Sequence, residues 1–428
     1  MSENPSLRTE KITTSQLNAF LWESLDRVRG QVEIMSVKDL VIGIIVLKHL
    51  SDEFDEAKQS ITLHYVNSGT SKQEAESFSE KQEEYTETFF VPKRARWNQL
   101  EDLRHDIGTQ LHRAIQEIQD RNPSLEGVLT SINFNITNLK NNDSILSELL
   151  RNFSSLELKT SNFERPDLLG VVFEEFIKRL AEFSGKSGGE FHTNRHIVQL
   201  MVEMIEPKAE DVFCDPCCGS GGFLVSILKY LLRKEPSLSN DQSRGSQLNG
   251  QMFKGIDANP STTTLANLNL LLHGIKFPQI ENFDSLSDLI TPKGNYYTKT
   301  ISNPPFAVRL DKARSSQINR LFNLPPSSRA DPFFVALHLH LLKEGGMAAV
   351  IVPPSLLSGC SEAHIQLRRQ LVEEHCLEGV VSLPKGIFSG TMVGGSILIF
   401  RKTGKGGTDN VWFYDLHSDG SNVINGKS

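Results

Sequence analysis

The 428-residue sequence predicts a mixed α/β fold in two parts: an all-helical domain over residues 1–155, and a parallel β-sheet with helices on both faces over residues 156–428. Three observations predict this fold. Apolar residues recur at helical spacing through the first part. In the second part short β-rich segments alternate with helical ones, and a Gly-rich turn joins the first β-rich segment to a helix.

The composition, with 38% hydrophobic and 23% charged residues, is typical of a soluble globular protein. No apolar run reaches the ~20 residues of a membrane span, and the N-terminus lacks the apolar segment of a signal peptide, so we expect a cytoplasmic protein without a membrane partner. The five cysteines include the crowded Cys214, Cys217 and Cys218, which indicates reduced thiols. With a formal charge of −7, a nucleic-acid function would require a basic face or a partner.

Helical spacing is clear in the segments SQLNAFLWESLDRVRG and SVKDLVIGIIVLKHLSDEFDEAKQSI, which lie between residues 15 and 65. Residues 66–97 are polar and charged, and we interpret the charge run over 75–87 as a solvated helix face or loop. The helical spacing then resumes and continues to about residue 155. The first part of the chain is therefore expected to contain helices alone.

Beyond residue 155 we expect two helices, LLGVVFEEFIKRLAEFSG and HIVQLMVEMI, followed by the alternating part of the chain. A polar, turn-rich segment over residues 235–250 predicts a loop inserted between the first sheet helix and the second strand. The expected strands include DVFCDP, FKGIDA, TKTISNPP, MAAVIVP, LEGVVSLP and GSILIFRK.

The first candidate site is the segment DVFCDPCCGSGGFLV, where a β-rich run ends at Asp215 and a turn with Gly219 and Gly221 leads into a helix. Glycines allow the backbone to approach a ligand, and the helix N-terminus offers free amide groups. The spacing is neither the dinucleotide pattern nor a phosphate loop. A carboxylate before the turn suits a ligand with positive charge; the alternative is a turn without a ligand.

Two further acids follow at strand ends. Asp257 closes the second β-rich run, a position where nucleoside sites use an acid to bind ribose hydroxyls. Asp284 lies near the end of the next strand, where it would bind an adenine amine. For both residues the alternative is that the carboxylate caps a helix.

The segment TISNPPF places Asn303, Pro304, Pro305 and Phe306 at the carboxyl end of the expected fourth strand, beside the ligand crevice. The prolines stiffen a turn there. The Asn303 side-chain oxygen and the Pro304 carbonyl would then accept hydrogen bonds from one planar amino group while Phe306 stacks on the attached ring. These four catalytic candidates predict methyl transfer to an exocyclic NH2, promoted by proximity and desolvation.

Three other patterns point to chemistry that we do not expect. Cys214 and Cys217 have zinc-ligand spacing, but a second ligand pair is absent, so we expect no metal. The Pro-Cys pair there resembles a cytosine carbon-5 methyltransferase nucleophile, yet it lies in the wrong loop. The histidines His192, His273, His338 and His340 are expected in the core or at the surface.

In its motifs and their order, the chain resembles S-adenosylmethionine-dependent amino-group DNA methyltransferases, and more closely the modification subunit of type I restriction-modification systems, in the N6-adenine DNA methyltransferase family. The resemblance implies the Rossmann-like sheet of those enzymes, behind a helical N-terminal domain that contacts DNA or partners. Nearly the whole chain resembles the family, including the segments LWESLDRVRG, GGEFHTNRHIVQLMVEMI, DPCCGSGGFLV, GIDANPSTTTLANLNLLLHGI, NPPF, DPFFVALHLHLLKEGGMAAVIVPPSLL and LPKGIFSGTMVGGSILIFRK.

For the cofactor S-adenosylmethionine, the resemblance implies that Asp215, Gly219 and Gly221 contact the methionine part. It likewise implies that Asp257 contacts the ribose and that Asp284 lies near the adenine.

Phe191 and Thr193 match positions that flank the cofactor, although this chain has FHTNR where the family usually has an aromatic before the Thr and a Pro after it. A second departure is the 36-position interval from Gly221 to Asp257, which is longer than usual and is explained by the inserted loop. We do not expect the loop to move the site.

The resemblance implies adenine N6 in duplex DNA as the target, whereas the NPPF chemistry alone also admits cytosine N4. A base inside a duplex would have to be flipped out, with Phe306 replacing the lost stacking. Implied partners are a specificity subunit that selects the sequence, a second copy of this chain, and a restriction (nuclease) subunit. The chain stops at NVINGKS, where relatives usually continue with docking helices, so we expect either a truncated chain or a different docking surface.

Two alternative functions remain from the sequence. One is methylation of another planar NH2 group, such as an RNA base or a protein glutamine; the long helical opening argues against it. The other is an inactive scaffold subunit; the intact NPPF segment, Asp215 and Asp257 argue against that.

Overall fold

A computed structural model describes residues 11–28, 34–125, 127–129, 132, 134, 142–183, 193–239, 252–275, 277–287, 294–306, 308–388 and 393–418. The chain forms two compact units, residues 1–186 with 272–274, and residues 187–271 with 275–428. From residue 240 onward, the loop predicted over 235–250 lies outside the described residues.

The first unit is helical, as the apolar spacing predicts. Residues 40–47 of its longest helix are buried on every side, because this stretch is apolar all round and runs through the centre of the unit. The helices described in this unit are α1 (Thr14–Val28), α2 (Ile34–Asn67), α3 (Lys72–Phe78), α4 (Trp97–Leu100), α5 (Ile107–Arg121), α6 (Asn142–Ser154) and α7 (Leu168–Phe183).

A buried ion pair follows the apolar stretch of α2. The Nζ atom of Lys48 lies 2.6 Å from Oδ1 of Asp52, four residues later on the same helix face. Burial raises the pKa of Asp52, and the pairing with Lys48 counteracts this. The second oxygen of Asp52 accepts a hydrogen bond from the Leu158 amide at 2.6 Å, so the pair also joins α2 to the chain that follows α6.

Glu80 connects three segments of the first unit. Its carboxylate accepts two hydrogen bonds from the Arg96 guanidinium, at 3.0 and 2.7 Å, and pairs with Lys58 of α2. Chiefly through the hydrogen bonds from Arg96, these partners lower the pKa of Glu80 to about 2. The pairing stabilises the polar segment after α3, which the sequence shows only as a charge run.

The second unit is built on a sheet of eight strands in the described part of the chain, with the order β3-β2-β1-β4-β5-β7-β6-β8. The strands are β1 (Phe213–Asp215), β2 (Phe253–Asp257), β3 (Gln279–Asn282), β4 (Tyr297–Ser302), β5 (Leu342–Val352), β6 (Cys376–Leu383), β7 (Gly395–Arg401) and β8 (Trp412–Asp415). The helices described with them are α8 (Arg195–Ile205), α9 (Gly222–Lys234), α10 (Pro260–Leu272), α11 (Lys312–Phe322), α12 (Asp331–Leu341), α13 (Pro354–Ser358) and α14 (Glu362–Arg369).

Both faces of the sheet are buried, which confirms the predicted α/β class with helices on each side. In β5, Ala349 and Ile351 belong to the apolar cluster that also contains residues of α8 and α9. The intervening Ala348 and Val350 belong to the cluster that contains α12. Successive side chains of a strand point to opposite faces, so the continuous apolar run of β5 supplies both clusters.

The sheet differs from an all-parallel one at β7, which pairs antiparallel with both β5 and β6. The reason is the connection: residues 384–394 between β6 and β7 are fewer than the dozen or so needed for a parallel crossover, so the chain turns back as a hairpin. The edge strand β8 pairs parallel with β6, and it was not among the predicted strands. Among the described residues, no helix is both long enough and apolar enough to cross a membrane.

We predict that Glu80→Gln destabilises the first unit by about 2–3 kcal/mol at pH 7, because the folded pKa of about 2 lies below the ordinary value of 4.5. A lowered carboxyl pKa stabilises the fold above pH 4.5, and this contribution is lost as the pH falls toward 2. The difference between variant and wild type in urea unfolding should therefore be full at pH 7 and much smaller at pH 3.

The control is Glu76→Gln, which removes an exposed carboxylate 4.0 Å from Lys72 and should change stability by no more than about 0.5 kcal/mol. Equal effects of the two variants at pH 7 would contradict the role assigned to Glu80.

Candidate active site

The candidate site lies where the strand order reverses. From β1 the chain adds β2 and β3 on one side and then returns to place β4 on the other side of β1. Because β1 and β4 are parallel neighbours, their carboxyl ends lie at one edge of the sheet. Asp215 is the last residue of β1, and Asn303 directly follows Ser302, the last residue of β4. Ligands of open α/β sheets bind in the crevice outside such a pair of strand ends.

The Gly-rich turn between β1 and α9 is held by the second strand and its helix. Gly219 and Gly221 have φ angles of 53° and 80°, a region that favours glycine. The Cys218 amide donates to the Ile256 carbonyl at 2.9 Å, and the buried Asn269 donates from Nδ2 to the Ser220 carbonyl at 2.9 Å. These contacts hold the turn in one conformation at the end of β1.

Asp215 is fully buried at the start of this turn. Its Oδ1 atom accepts a hydrogen bond from the Cys217 amide at 3.1 Å. Its Oδ2 atom is also buried, and among the described residues it has no hydrogen-bond partner. Burial raises the pKa of Asp215 well above its ordinary value. An unsatisfied buried carboxylate oxygen is costly, and a cationic or hydrogen-bond-donating ligand group would remove that cost.

Asp257, at the end of β2, is bound to the same turn. One oxygen accepts from the Gly219 amide at 3.1 Å and the other from the Asn259 amide at 2.9 Å. The cap of α10 is Asn259, whose Oδ1 accepts from the Ser261 amide at 3.0 Å. The alternative interpretation of Asp257 as the helix cap therefore does not describe this chain. Its partly exposed carboxylate links the end of β2 to the Gly-rich turn.

Asp284 lies two residues beyond β3 and is already paired within the protein. One oxygen accepts from the Leu286 amide at 3.0 Å, and the other pairs with the guanidinium of Arg314. Arg314 belongs to α11, which follows the NPPF segment, so the ion pair connects two candidate regions of the crevice. The sequence contained no signal for this partner.

Asn303 is oriented by Thr193. Its Nδ2 group donates to the Thr193 hydroxyl at 3.0 Å, which leaves Oδ1 as the acceptor of the amide. Thr193 precedes α8, whose N-cap Asn194 accepts from the His196 amide at 2.9 Å. Two candidates 110 positions apart are thus brought together, while Phe191 lies outside the described residues.

The other three NPPF residues differ in burial, and Phe306 packs against a phenylalanine that follows β6. Pro304 is buried, whereas Pro305 and Phe306 are partly exposed. The ring of Phe306 meets the buried ring of Phe388 edge to face, with centroids 5.7 Å apart. Phe388 follows β6, and sequence reasoning did not single it out; its only signal is an aromatic residue in the Gly-rich segment LPKGIFSG.

The buried His338 of α12 supports the end of β4. Its Nε2 atom lies 2.8 Å from the Ser302 hydroxyl, one residue before Asn303. Burial lowers the pKa of His338 to about 3, so the ring is neutral. Burial likewise raises the pKa of Cys214, Cys217 and Cys218 well above the ordinary value, which leaves them as thiols. No group of three or more potential metal ligands occurs among the described residues.

Comparison with known proteins finds two family models that match this chain. Residues 164–427 match the family model N-6 DNA Methylase, and residues 17–153 match the HsdM N-terminal domain. A methylase subunit of a type I restriction enzyme from Methanocaldococcus jannaschii is 25% identical over 91% of this chain and 70% of its own. One from Mycoplasma pneumoniae is 25% identical over 95% of this chain and 80% of its own.

Two solved structures show the same fold. A type I restriction-modification methyltransferase subunit from Streptococcus thermophilus superposes with a TM-score of 0.72 and 22% identity, covering 94% of this chain and 88% of that chain. A class I S-adenosylmethionine-dependent methyltransferase from Listeria monocytogenes has a TM-score of 0.51 and 18% identity, covering 72% of this chain and 87% of that chain.

The sheet and its crevice are those of a methyltransferase. More narrowly, the chain belongs to the N-6 DNA methylase family, because that model matches more than half of its residues. The resemblance to modification subunits of type I systems, and the expectation of an adenine-specific DNA methyltransferase, are confirmed.

We predict that Thr193→Val lowers the kcat of methyl transfer about tenfold, because the Asn303 amide is deprived of the hydrogen bond that orients it. Thr193→Ser keeps the hydroxyl and should retain most of the rate. Both variants are to be measured at saturating cofactor and DNA. A Thr193→Val enzyme that regains wild-type kcat under saturation would assign Thr193 to cofactor binding alone.

Proposed function

We propose that this protein is the modification subunit of a type I restriction-modification complex, which transfers a methyl group from S-adenosylmethionine to N6 of a flipped-out adenine in duplex DNA. The observation that supports it best is the oriented Asn303 amide at the carboxyl end of β4, beside the buried Asp215 at the end of β1. The proposal assigns catalysis to residues 156–428 and contacts with DNA or partners to residues 1–155.

The proposed target site is made by the NPPF segment. With Nδ2 of Asn303 bound to Thr193, Oδ1 is left to accept a hydrogen bond from the target amino group, together with the carbonyl of Pro304. Two acceptors on one NH2 group leave electron density on its nitrogen. Pro305 fixes the turn, and Phe306, braced by Phe388, stacks on the base. An adenine inside a duplex would have to leave the helix to reach these groups, at a cost of a few kcal/mol.

The proposed cofactor site is made by the ends of β1, β2 and β3. S-adenosylmethionine, when bound, supplies a methyl group carried on a positively charged sulfur. The buried Oδ2 atom of Asp215, which has no partner among the described residues, fits the amino group of its methionine part, beside the turn that holds Gly219 and Gly221. Asp257 is assigned the ribose and Asp284 the neighbourhood of the adenine. Thr193 and Phe191 complete the assignment as residues that flank the cofactor.

The proposed partners follow from the family. We assign sequence selection to a specificity subunit, since no DNA-reading motif is recognisable in the sequence, and we assign a second copy of this chain to the same complex. A nuclease subunit belongs to the proposal as a further component. The net charge of −7 is consistent with a subunit that shares the task of binding DNA.

The proposed function is tested by measuring the transfer of labelled methyl from S-adenosylmethionine to duplex DNA. The reaction is run with this chain alone and with its specificity subunit, and the DNA is then digested to nucleosides to identify the labelled base. We predict label in N6-methyladenine only with the partner. Asn303→Ala and Phe306→Ala should reduce the rate at least a hundredfold, because each removes a group that acts on the target base, while cofactor affinity stays near wild type.

Label in N4-methylcytosine, in RNA or in protein would replace the proposed substrate. Full activity of either variant would refute the assigned mechanism. A chain that binds the cofactor but transfers no methyl under any of these conditions would instead be an inactive subunit.

We predict that Asp257→Ala weakens cofactor binding about ten- to a hundredfold, because hydrogen bonds to a charged acceptor contribute about 1.5–3 kcal/mol and the variant removes the carboxylate assigned to the ribose, together with its hydrogen bond to the Gly-rich turn. Asp215→Asn should weaken binding as well, since it removes the buried carboxylate charge. Affinity is to be measured by calorimetry without DNA.

The control is Glu281→Gln, which removes a carboxylate of β3 that pairs with Lys254. It should leave cofactor affinity within about twofold of wild type. Unchanged affinity in Asp257→Ala would reject the ribose assignment.

A further inference from the structure

Residues 308–330, which come shortly after the NPPF segment, form a segment that we call the excursion. It contains α11 and two short arms, one on each side of that helix. The arms, residues 308–310 and 328–330, form an antiparallel bridge in which Arg309 lies opposite Arg329. We call these two residues the arginine pair. The Leu310 amide donates to the Ser328 carbonyl, and the Ala330 amide donates to the Val308 carbonyl, each at 3.0 Å.

These two hydrogen bonds define the geometry of the arginine pair. They flank the pair instead of joining it, so Arg309 and Arg329 form a non-hydrogen-bonded pair, the arrangement in which facing residues come closest. Facing Cβ atoms of such pairs lie about 4.5–5.5 Å apart on one face of the ladder. Both residues are exposed. Like charges directly opposite each other repel in a ladder, and an anion placed between them would reduce that repulsion.

Among the described residues, no acid forms an ion pair with Arg309. The excursion carries five basic residues and a single acidic one, Asp311. Asp311 caps α11 by accepting from the Arg314 amide at 2.8 Å, and Arg314 itself pairs with Asp284. Asp331, the next acid along the chain, is buried at the start of α12, and Arg309 makes no ion pair within the described residues.

The arms are held by buried contacts. Ile318 and Phe322 of α11 are buried, and the Ser327 amide donates to the hydroxyl of the buried Ser315 at 2.9 Å. The Ser327 hydroxyl in turn accepts from the Arg329 amide at 3.0 Å. The arginine pair is therefore presented by a fixed backbone.

The arginine pair also lies close to the proposed target site. Arg309 is three residues after Phe306, and an extended chain covers at most about 10–11 Å over three residues. An anion bound by the pair would lie within roughly one or two nucleotides of a base stacked on Phe306. S-adenosylmethionine carries no phosphate, and its one anionic group, the methionine carboxylate, belongs to the part of the cofactor that the proposed function places at the turn after β1.

We propose that the arginine pair binds the phosphodiester backbone of DNA next to the flipped-out nucleotide. This inference rests on the proposed function and extends it to a DNA contact made by this chain itself. Arginine suits the role because its planar fork donates two parallel hydrogen bonds to phosphate oxygens. Contacts to phosphates fix the register of a protein on its duplex, so the pair would hold the backbone where the target base enters the site.

The test uses the complex of this chain with its specificity subunit and a duplex that contains a site it methylates. We expect the double variant Arg309→Gln/Arg329→Gln to bind DNA more weakly than wild type. At 0.1 M salt the decrease in affinity should be about eightfold for each phosphate contact that is lost. The slope of log K against log [salt] should decrease in magnitude by about 1 if the pair shares one phosphate and about 2 if it binds two. Cofactor affinity should not change.

A second readout separates binding from folding. Because the pair is a like-charge contact, Arg309→Gln should leave the thermal midpoint of the chain unchanged or raise it. Arg309→Lys/Arg329→Lys, which keeps the charges but not the forks, should keep the wild-type salt slope.

Arg320→Gln is the matched control. It removes an exposed positive charge near the C-terminal end of α11. Arg320 lies about 12 Å along the helix from Lys312, its first residue, and the variant should bind DNA within about twofold of the wild-type affinity. An equal decrease in this control, or wild-type affinity and slope in the double variant, would overturn the inference. Absence of any DNA methylation by the wild-type complex would overturn the proposed function, and the phosphate contact with it.

Discussion

The parallel pairing of β1 with β4 is the constraint on which the rest of the site depends. It places Asp215 and Asn303, 88 positions apart in the chain, at adjacent carboxyl ends of the sheet. Both residues therefore stand beside the crevice outside these strand ends, although no local sequence pattern connects them. The three strands on one side of the crevice carry the acids assigned to the cofactor, and β4 carries the groups assigned to the base. Methyl transfer needs donor and acceptor within contact distance, and a rigid sheet provides that proximity without further ordering of the chain.

Polar groups at the ends of β1 and β4 differ in whether they have partners within the protein. On the β1 side burial leaves Oδ2 of Asp215 without a partner among the described residues, which is a cost that a ligand would remove. On the β4 side the groups that set the position of Asn303 are bound within the protein: Thr193 binds its Nδ2 atom and His338 binds Ser302. A neutral histidine in that position supports the strand end without adding a charge beside the proposed position of the target amino group. In the proposed function the first side binds the cofactor, and the second side orients the amide that accepts a hydrogen bond from the base.

Sequence reasoning was sufficient where local patterns determine structure. The apolar runs of β2, β5 and β7 predicted strands, and the Gly-rich turn after Asp215 is present as expected. It failed where partners are distant. The hydrogen bond between Thr193 and Asn303, the contact of Phe306 with Phe388 and the ion pair of Asp284 with Arg314 each join segments with no common local pattern. The start of β5 was also placed late, at Met347, because Gly345 and Gly346 indicate a turn although the chain already pairs from Leu342.

The net charge of −7 does not show that one segment of the chain is strongly basic. The chain as a whole is acidic, yet the excursion that follows the NPPF segment is strongly basic. The two opposed arginines of this excursion are both exposed, and an anion placed between them would reduce the repulsion of their like charges. The proposed position of that anion is beside the catalytic candidates. In the proposed complex, in which a partner selects the sequence, this chain still has to hold the DNA backbone at the nucleotide on which it acts, and two forked cations on a fixed backbone are a compact way to do so.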